Sequence, residues 1–333
     1  MHVIEAKSTH HGLEQGLKYL DKHGITQSSR NGTAIVAPGP VTTVFQNPMH
    51  SVVWYPERDF NIAFLVYESL WMLEGRTDVL PLTRYVKRMI DYSDDGMTLR
   101  GSSYGHRWRH YFHQDQLLLV AKRLSENPQD RRSVIGMWDP ATDLQIDNTL
   151  KDLPCNMIIA FQVTPAAELD MTVFNRSNDI IWGTYFANSF HFSMLHHYLA
   201  DRTGYKIGRY FQISNNYHAY GSLFKKTLDY VSKGPSNHTD YYYGFELSTS
   251  LPCLPDSYRK MFLLKTDLEQ LSEDPPSNPD PYYRVLMAHE LYRRGDLSAA
   301  LDIVNPSTRE QWNNHHWIVS MRHWIQRRLG DES

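Results

Sequence analysis

Apolar residues along this chain change their spacing from one stretch to the next, and each change marks an element. Residues 11–22 carry the mixed apolar and charged spacing of a short amphipathic helix. In SSRNGTAIVA, residues 28–37, the Asn31–Gly32 pair predicts a turn feeding a strand, which Pro38 and Pro40 break. FNIAFLVYESLWMLEG, from Phe60 to Gly75, is apolar all round, the pattern of a deeply buried helix stopped by glycine. Strand-like runs follow: SVIGMWDP after Arg131 and Arg132, CNMIIAFQVT from Cys155, and the alternating LDMTVFNRS as its partner. ANSFHFSMLHHYLADRTG predicts a second apolar helix ended by Gly204, and YKIGRYFQISNNYHAY a further strand. A helix, a strand cluster and a helix packed on it predict an α+β fold with a mixed sheet.

One linker is clear. DPPSNPDP, Asp274 to Pro281, has four prolines and no apolar anchor. Beyond it, PYYRVLMAHELYRRGDLSAALDIV and STREQWNNHHWIVSMRHWIQRRL predict two helices, with Leu286, His289, Tyr292 and Leu301 at helical spacing in the first. The chain therefore divides into residues 1–273 and a small helical extension over 282–333.

Composition narrows the function more by exclusion than by pointing. The 333 residues are 41% hydrophobic and 21% charged, with 34 basic against 37 acidic side chains. A net charge of -3 argues against a nucleic-acid footprint but leaves room for a small anionic ligand held by a few arginines. The two cysteines, Cys155 and Cys253, are too few for a disulfide framework, so reduced thiols are expected. The first residues carry charge and no apolar leader, and the most apolar stretch holds Glu68 and is too short to span a bilayer. A soluble cytoplasmic protein without membrane or nucleic-acid partners is the expectation. His106, His110, His113 and the pair His196–His197 lack cysteine or acidic neighbours at ligand spacing, so no metal site is expected.

Five stretches then carry chemistry together. They are SRNGT at 29–33, DRRSVIGMWDP at 130–140, LPCN at 153–156, NRSNDIIWGTYFANSFHFSMLHHYLA at 175–200 and YHAY at 217–220. In this order and spacing they resemble the thymidylate synthase superfamily: its phosphate loop, paired-arginine strand, nucleophile loop, signature segment and ribose contact. The resemblance implies a thymidylate synthase-like fold over residues 1–273. It also implies an enzyme that transfers one carbon from 5,10-methylenetetrahydrofolate to C5 of a pyrimidine nucleoside 5′-monophosphate. A pyrimidine C5 is a poor nucleophile, and a thiolate added at C6 makes it enamine-like. The resemblance gives that thiolate to Cys155, with Arg176 nearby to favour its charged form.

The same resemblance assigns the other roles. Arg30, Arg176 and Ser177 hold the phosphate from one subunit, and Arg131 and Arg132 reach it from the other, which implies a homodimer with shared sites. Guanidinium forks suit a phosphate because they bind it bidentately. Asn175, Ala187 and Asn188 fall in the nucleotide site, and His218 and Tyr220 match the ribose contacts. Glu68 organises protons at the base, and Tyr104 is the active-site tyrosine. Asp179, Gly183 and Phe186 match positions that hold the pterin, with Asp179 also counted among the catalytic groups.

Departures from the family pattern set the expected product. An ungapped alignment puts Ala187 where the family's asparagine reads uracil, with Asn188 beside it. Asn156 replaces a histidine and Asn175 a glutamine. VKRMIDYSDDGMTLRG, residues 86–101, replaces the tryptophan-rich stretch that shields the exocyclic methylene, and the helical extension takes the place of the folate-closing tail. A site without that shield admits water, which implies a 5-hydroxymethyl product and the pyrimidine nucleotide 5-hydroxymethylase branch. Ala187 makes neither uracil contact, so cytidylate is favoured over uridylate. Two readings stay open beside this one: reductive methylation of deoxyuridylate by a true thymidylate synthase, and a nucleotide-binding homologue that has lost catalysis.

Overall fold

The computed structural model describes residues 1–29, 32–145, 150–234, 247–252, 279–305, 312 and 314–330. Eight strands form one mixed sheet: β1 (His2–Ala6), β2 (Ile25–Ser29), β3 (Gly32–Val36), β4 (Val41–Phe45), β5 (Val134–Gly136), β6 (Asn156–Val163), β7 (Glu168–Asp179) and β8 (Lys206–Tyr220). The order is β1-β4-β8-β7-β6-β5, with β3 joining β8 and pairing β2. β6 and β7 form an antiparallel pair, whereas β7 runs parallel to β8. A parallel neighbour needs a crossover, and the apolar helix between the two strands provides it. The long β8 pairs β4 over Tyr210–Ser214 and then β3 over His218–Tyr220, so its last residues sit where the sheet changes partner.

The helices are α1 (Thr9–His23), α2 (Ile62–Leu73), α3 (Gln116–Glu126), α4 (Asn188–Thr203), α5 (Gly221–Ser232), α6 (Pro281–Arg293), α7 (Leu297–Val304) and α8 (His316–Gly330). Ser8 caps α1 by accepting from the His11 N–H at 3.2 Å, and Asn61 caps α2 through the Phe64 N–H at 3.1 Å. Gly204, at φ 75°, ends α4 as the sequence reading expects. All twelve residues of α2 are buried because α4 packs on one side of it and α6 and α8 on another. That accounts for its lack of a polar face.

The C-terminal stretch 281–304 is two helices rather than one. Gly295 sits at φ +84°, and Asp296 then caps α7 through the Ala299 N–H at 3.0 Å. α6 meets the rest of the molecule through Arg84 and Glu290, paired at 2.9 Å, and through the Tyr67–Tyr85–His289 ring stack. Trp317 of α8 packs against Phe190 of α4 at 5.2 Å. Most of the proline-rich linker and Cys253 lie outside the described residues.

The sheet buries one face and leaves part of the other open. Ile159, Val173 and Tyr210 are buried, while the alternate Ile158, Phe174 and Val134 on neighbouring strands are 39%, 37% and 44% exposed. Among the described residues no helix is long and apolar enough to cross a membrane.

Candidate active site

A cavity of about 660 Å³ opens where β7, β8, α2 and the loop before β6 converge, and Cys155 lies in its wall. Three residues fix the Cys155 loop. The N–H groups of Cys155 and Asn156 donate to Tyr104 Oη at 2.9 and 3.2 Å. Arg176 donates from Nε to the Pro154 carbonyl at 2.8 Å, and its own N–H reaches the Cys155 carbonyl at 2.9 Å. Asp152 accepts from the N–H groups of Gly101 and Ser102 at 2.8 and 2.9 Å, tying the loop to the segment that carries Tyr104. Both acceptor sites of the Tyr104 oxygen are thereby filled, which leaves its proton to be donated into the cavity. Burial and the neighbouring Cys155 push the Tyr104 hydroxyl above its ordinary pKa, so it stays a donor. Arg176 thus holds the nucleophile loop as well as lining the cavity.

The segment after Asp179 is not the unbroken α-helix that an ungapped alignment assumes. Ile180–Ala187 forms a π-helix with Tyr185 off helical geometry, and α4 starts only at Asn188. A π-turn holds one residue more than an α-turn, so it shifts the register of everything after it. Ala187 and Asn188 both line the cavity as a result. The Asn188 amide is held in a chain: Nδ2 donates to Asn178 Oδ1 at 3.0 Å, and Oδ1 accepts from Asn156 Nδ2 at 3.4 Å. Asn178 in turn donates to Ser214 Oγ at 3.2 Å. Gly183 lies directly beneath this chain.

Glu68 projects from α2 into the same cavity, where its Oε2 lies 3.0 Å from Nε2 of His191. Their side chains are only 8% and 4% exposed. On the opposite wall, β8 places His218 and Tyr220 on one face two residues apart, with Ser177 nearby on β7. Asp179 accepts from the Ile181 N–H at 2.9 Å, and burial raises its carboxyl above the ordinary range against the pull of that bond and of His218. Gly183 and the indole of Trp182 complete that end, with Arg88 over the indole at 4.6 Å. A flat heterocycle with N–H groups suits a wall made of an indole and a buried carboxyl. Residues 86–101 fold partly as a short turn, Lys87–Tyr92, whose Met89 and Tyr92 line the cavity.

Some expected site residues stand elsewhere. Asn175 is buried in the sheet, with its amide on the Ile213 carbonyl at 3.3 Å, outside the cavity wall. Phe186 packs edge-on to Phe60 and under Arg58 rather than lining the cavity. Arg131 and Arg132 are exposed and away from it, and Arg30 lies outside the described residues. Conversely, sequence reasoning missed Asp152, Asn178, Trp182 and His191. Nothing local marks the first three. The spacing of His191, three residues after Asn188, is a signal once the register is known. Among the described residues no group of three or more metal-binding side chains gathers.

Comparison with known proteins gives the family. The thymidylate synthase family model matches residues 14–246. A protein named deoxyuridylate hydroxymethyltransferase from Pseudomonas phage M6 is 38% identical over an alignment of 349 residues, covering 98% of this chain and 95% of that protein. Another of the same name, from Bacillus phage SP01, is 37% identical over 214 residues, covering 61% of this chain and 55% of its own. With the family model covering more than half of the chain and a relative aligned over nearly all of it, the chain belongs to the thymidylate synthase family.

Proposed function

We propose that the protein adds a hydroxymethyl group to C5 of deoxyuridylate. The observation that carries the choice of base is the Asn188 amide, oriented by Asn178 and Asn156 in the cavity that holds Cys155. Oriented so, it offers an acceptor to uracil N3–H and a donor to O4. The printed names of the two phage relatives support the same base and product. The cytidylate expectation rested on an ungapped alignment that puts Ala187 at the reader position, and the π-helix before Asn188 favours Asn188 in that place.

The chain is a one-carbon transferase that uses methylenetetrahydrofolate, which supplies carbon at the oxidation level of formaldehyde. In our reading the Cys155 thiolate adds to C6, and Arg176 fixes its loop. Tyr104 donates its remaining proton into the cavity, and Glu68 manages protons at the base. His218 and Tyr220 take the sugar hydroxyl, and Ser177 and Arg176 the phosphate. Asp179, Gly183 and Trp182 face the donor. The exposed Arg131 and Arg132 serve a second copy docked on the open apolar sheet face, making a homodimer.

Supplying deoxyuridylate, deoxycytidylate, uridylate and cytidylate in turn with the folate donor, and weighing the products, tests this. We expect deoxyuridylate to gain CH2O with no dihydrofolate absorbance. Methylation with dihydrofolate release would mean thymidylate synthesis, and preferential turnover of a cytosine nucleotide would displace Asn188 as the uracil reader.

A further inference from the structure

Hydroxymethylation differs from methylation at one step: water adds to an exocyclic methylene, and something must take its proton. Resting on the reading above, we propose that His191 is the base for that step, relaying the proton to Glu68. Three observations carry it. His191 lines the cavity and its Nε2 is buried, yet that nitrogen has no hydrogen bond of good geometry, because its 3.0 Å approach to Glu68 Oε2 is out of line. Burying an imidazole nitrogen without such a bond is costly, and an incoming water would relieve it by bridging the two side chains. Among the described residues the other ring contact of His191 is Phe190, edge-on at 6.5 Å, an apolar neighbour that does not compete for the imidazole nitrogen. Finally, His191 is one turn beyond Asn188 on α4, so the group that reads the base and the group that meets water share a helix face.

The step balances. The water oxygen bonds to the methylene carbon as the C=C pair moves through C5 and C4 onto O4. The water proton goes to His191 Nε2 and on to the Glu68 carboxylate. The O4 charge then returns, the C5=C6 bond re-forms, and the C6–Sγ bond breaks to regenerate the Cys155 thiolate.

His191→Gln and His191→Asn test it with 5-tritiated deoxyuridylate, the folate donor and 2-mercaptoethanol as a competing nucleophile. Tritium release reports every step before water attack. The thiol traps the methylene as a thioether without needing a base in the protein. We expect hydroxymethyl product to fall about 100-fold or more relative to tritium release measured with thiol, with thioether taking its place. An unchanged ratio of hydroxymethyl product to thioether, or an equal fall in tritium release, overturns the role. If neither variant binds nucleotide, [15N]histidine-labelled protein decides. One imidazole must respond both to Glu68→Asp and to nucleotide binding, and the absence of a common resonance rejects the proposal. A wild type that forms no hydroxymethyl product would instead sink the proposed function.

Discussion

A methyl group added at Gly183 would stand 2.4 Å from Asn178 Oδ1 and 3.1 Å from Asn188 Nδ2. Gly183 is thus the floor on which the amide chain is laid, and its φ is ordinary. Gly183→Ala is expected to part Asn178 from Asn188, lowering kcat/KM for deoxyuridylate by about 10-fold or more, the effect of a lost buried hydrogen bond. Steady-state kinetics on both deoxynucleotides will show whether discrimination falls with it. Cys155→Ser behaves differently. Tyr104 holds the loop through backbone N–H groups, so exchanging Sγ for Oγ leaves that scaffold intact. Turnover should vanish while calorimetry still finds nucleotide binding, because a serine hydroxyl there has no activating base. Cys155, Arg176 and His218 were legible in the sequence because their motifs are contiguous. Asp152 and Asn178 were not, since their roles depend on partners the fold brings together: Gly101 lies 51 residues from Asp152, and Asn178 joins Asn188 to Ser214, which lies 36 residues from it.

Among the elements, those with one strong period were readable. The expected helix over 11–22 is α1 at Thr9–His23, and β2 pairs antiparallel with β3, although Asn31 of the expected turn lies outside the described residues. α2 showed its burial through an unbroken apolar run, although only packing reveals that the C-terminal helices supply one of its covers. The π-helix at Ile180–Ala187 was invisible, because an extra residue in a helix leaves composition and polarity unchanged. On the proposed reading it decides which of two adjacent residues reads the base, and two substitutions separate them. Asn188→Ala should cost about 1–3 kcal/mol of discrimination between uracil and cytosine nucleotides. Ala187→Asn should leave the preference for uracil unraised, since its amide has no place in the Asn178–Asn156 chain. A rise in that preference with Ala187→Asn would return the role to position 187.

At the scale of the molecule, a site assembled from two copies makes a sharp demand. Arg131→Ala and Cys155→Ser enzymes, each inactive alone, should recover about a quarter of wild-type activity after subunit exchange, because half the dimers then hold one intact site of two in an isologous pair. No recovery after verified exchange would mean that each site is built within one chain. The pH dependence of stability follows from another whole-molecule feature, the histidines buried across both the catalytic part and the C-terminal helices. Burial lowers His196 to about 4, His289 and His316 to about 3, and His315 well below its ordinary value. In the unfolded chain each titrates near 6.5. Below that pH the unfolded state binds protons that the native state does not, so stability falls as pH falls. The contribution is fully present above about pH 6.5 and is lost progressively down to the folded values near 3 to 4. Melting temperature measured from pH 8 to pH 4 should therefore hold level and then drop through the acid limb. The dependence of melting temperature on pH, combined with the unfolding enthalpy, should give up to four protons taken up on unfolding. Because His289 stacks on Tyr85 without a hydrogen bond to a carbonyl among the described residues, whereas His316 donates to the Ser248 carbonyl at 3.1 Å, His289→Phe should remove about one of those protons and flatten the limb. A melting temperature flat to pH 4 in the wild type would show that these rings are hydrated and free to protonate in the native fold.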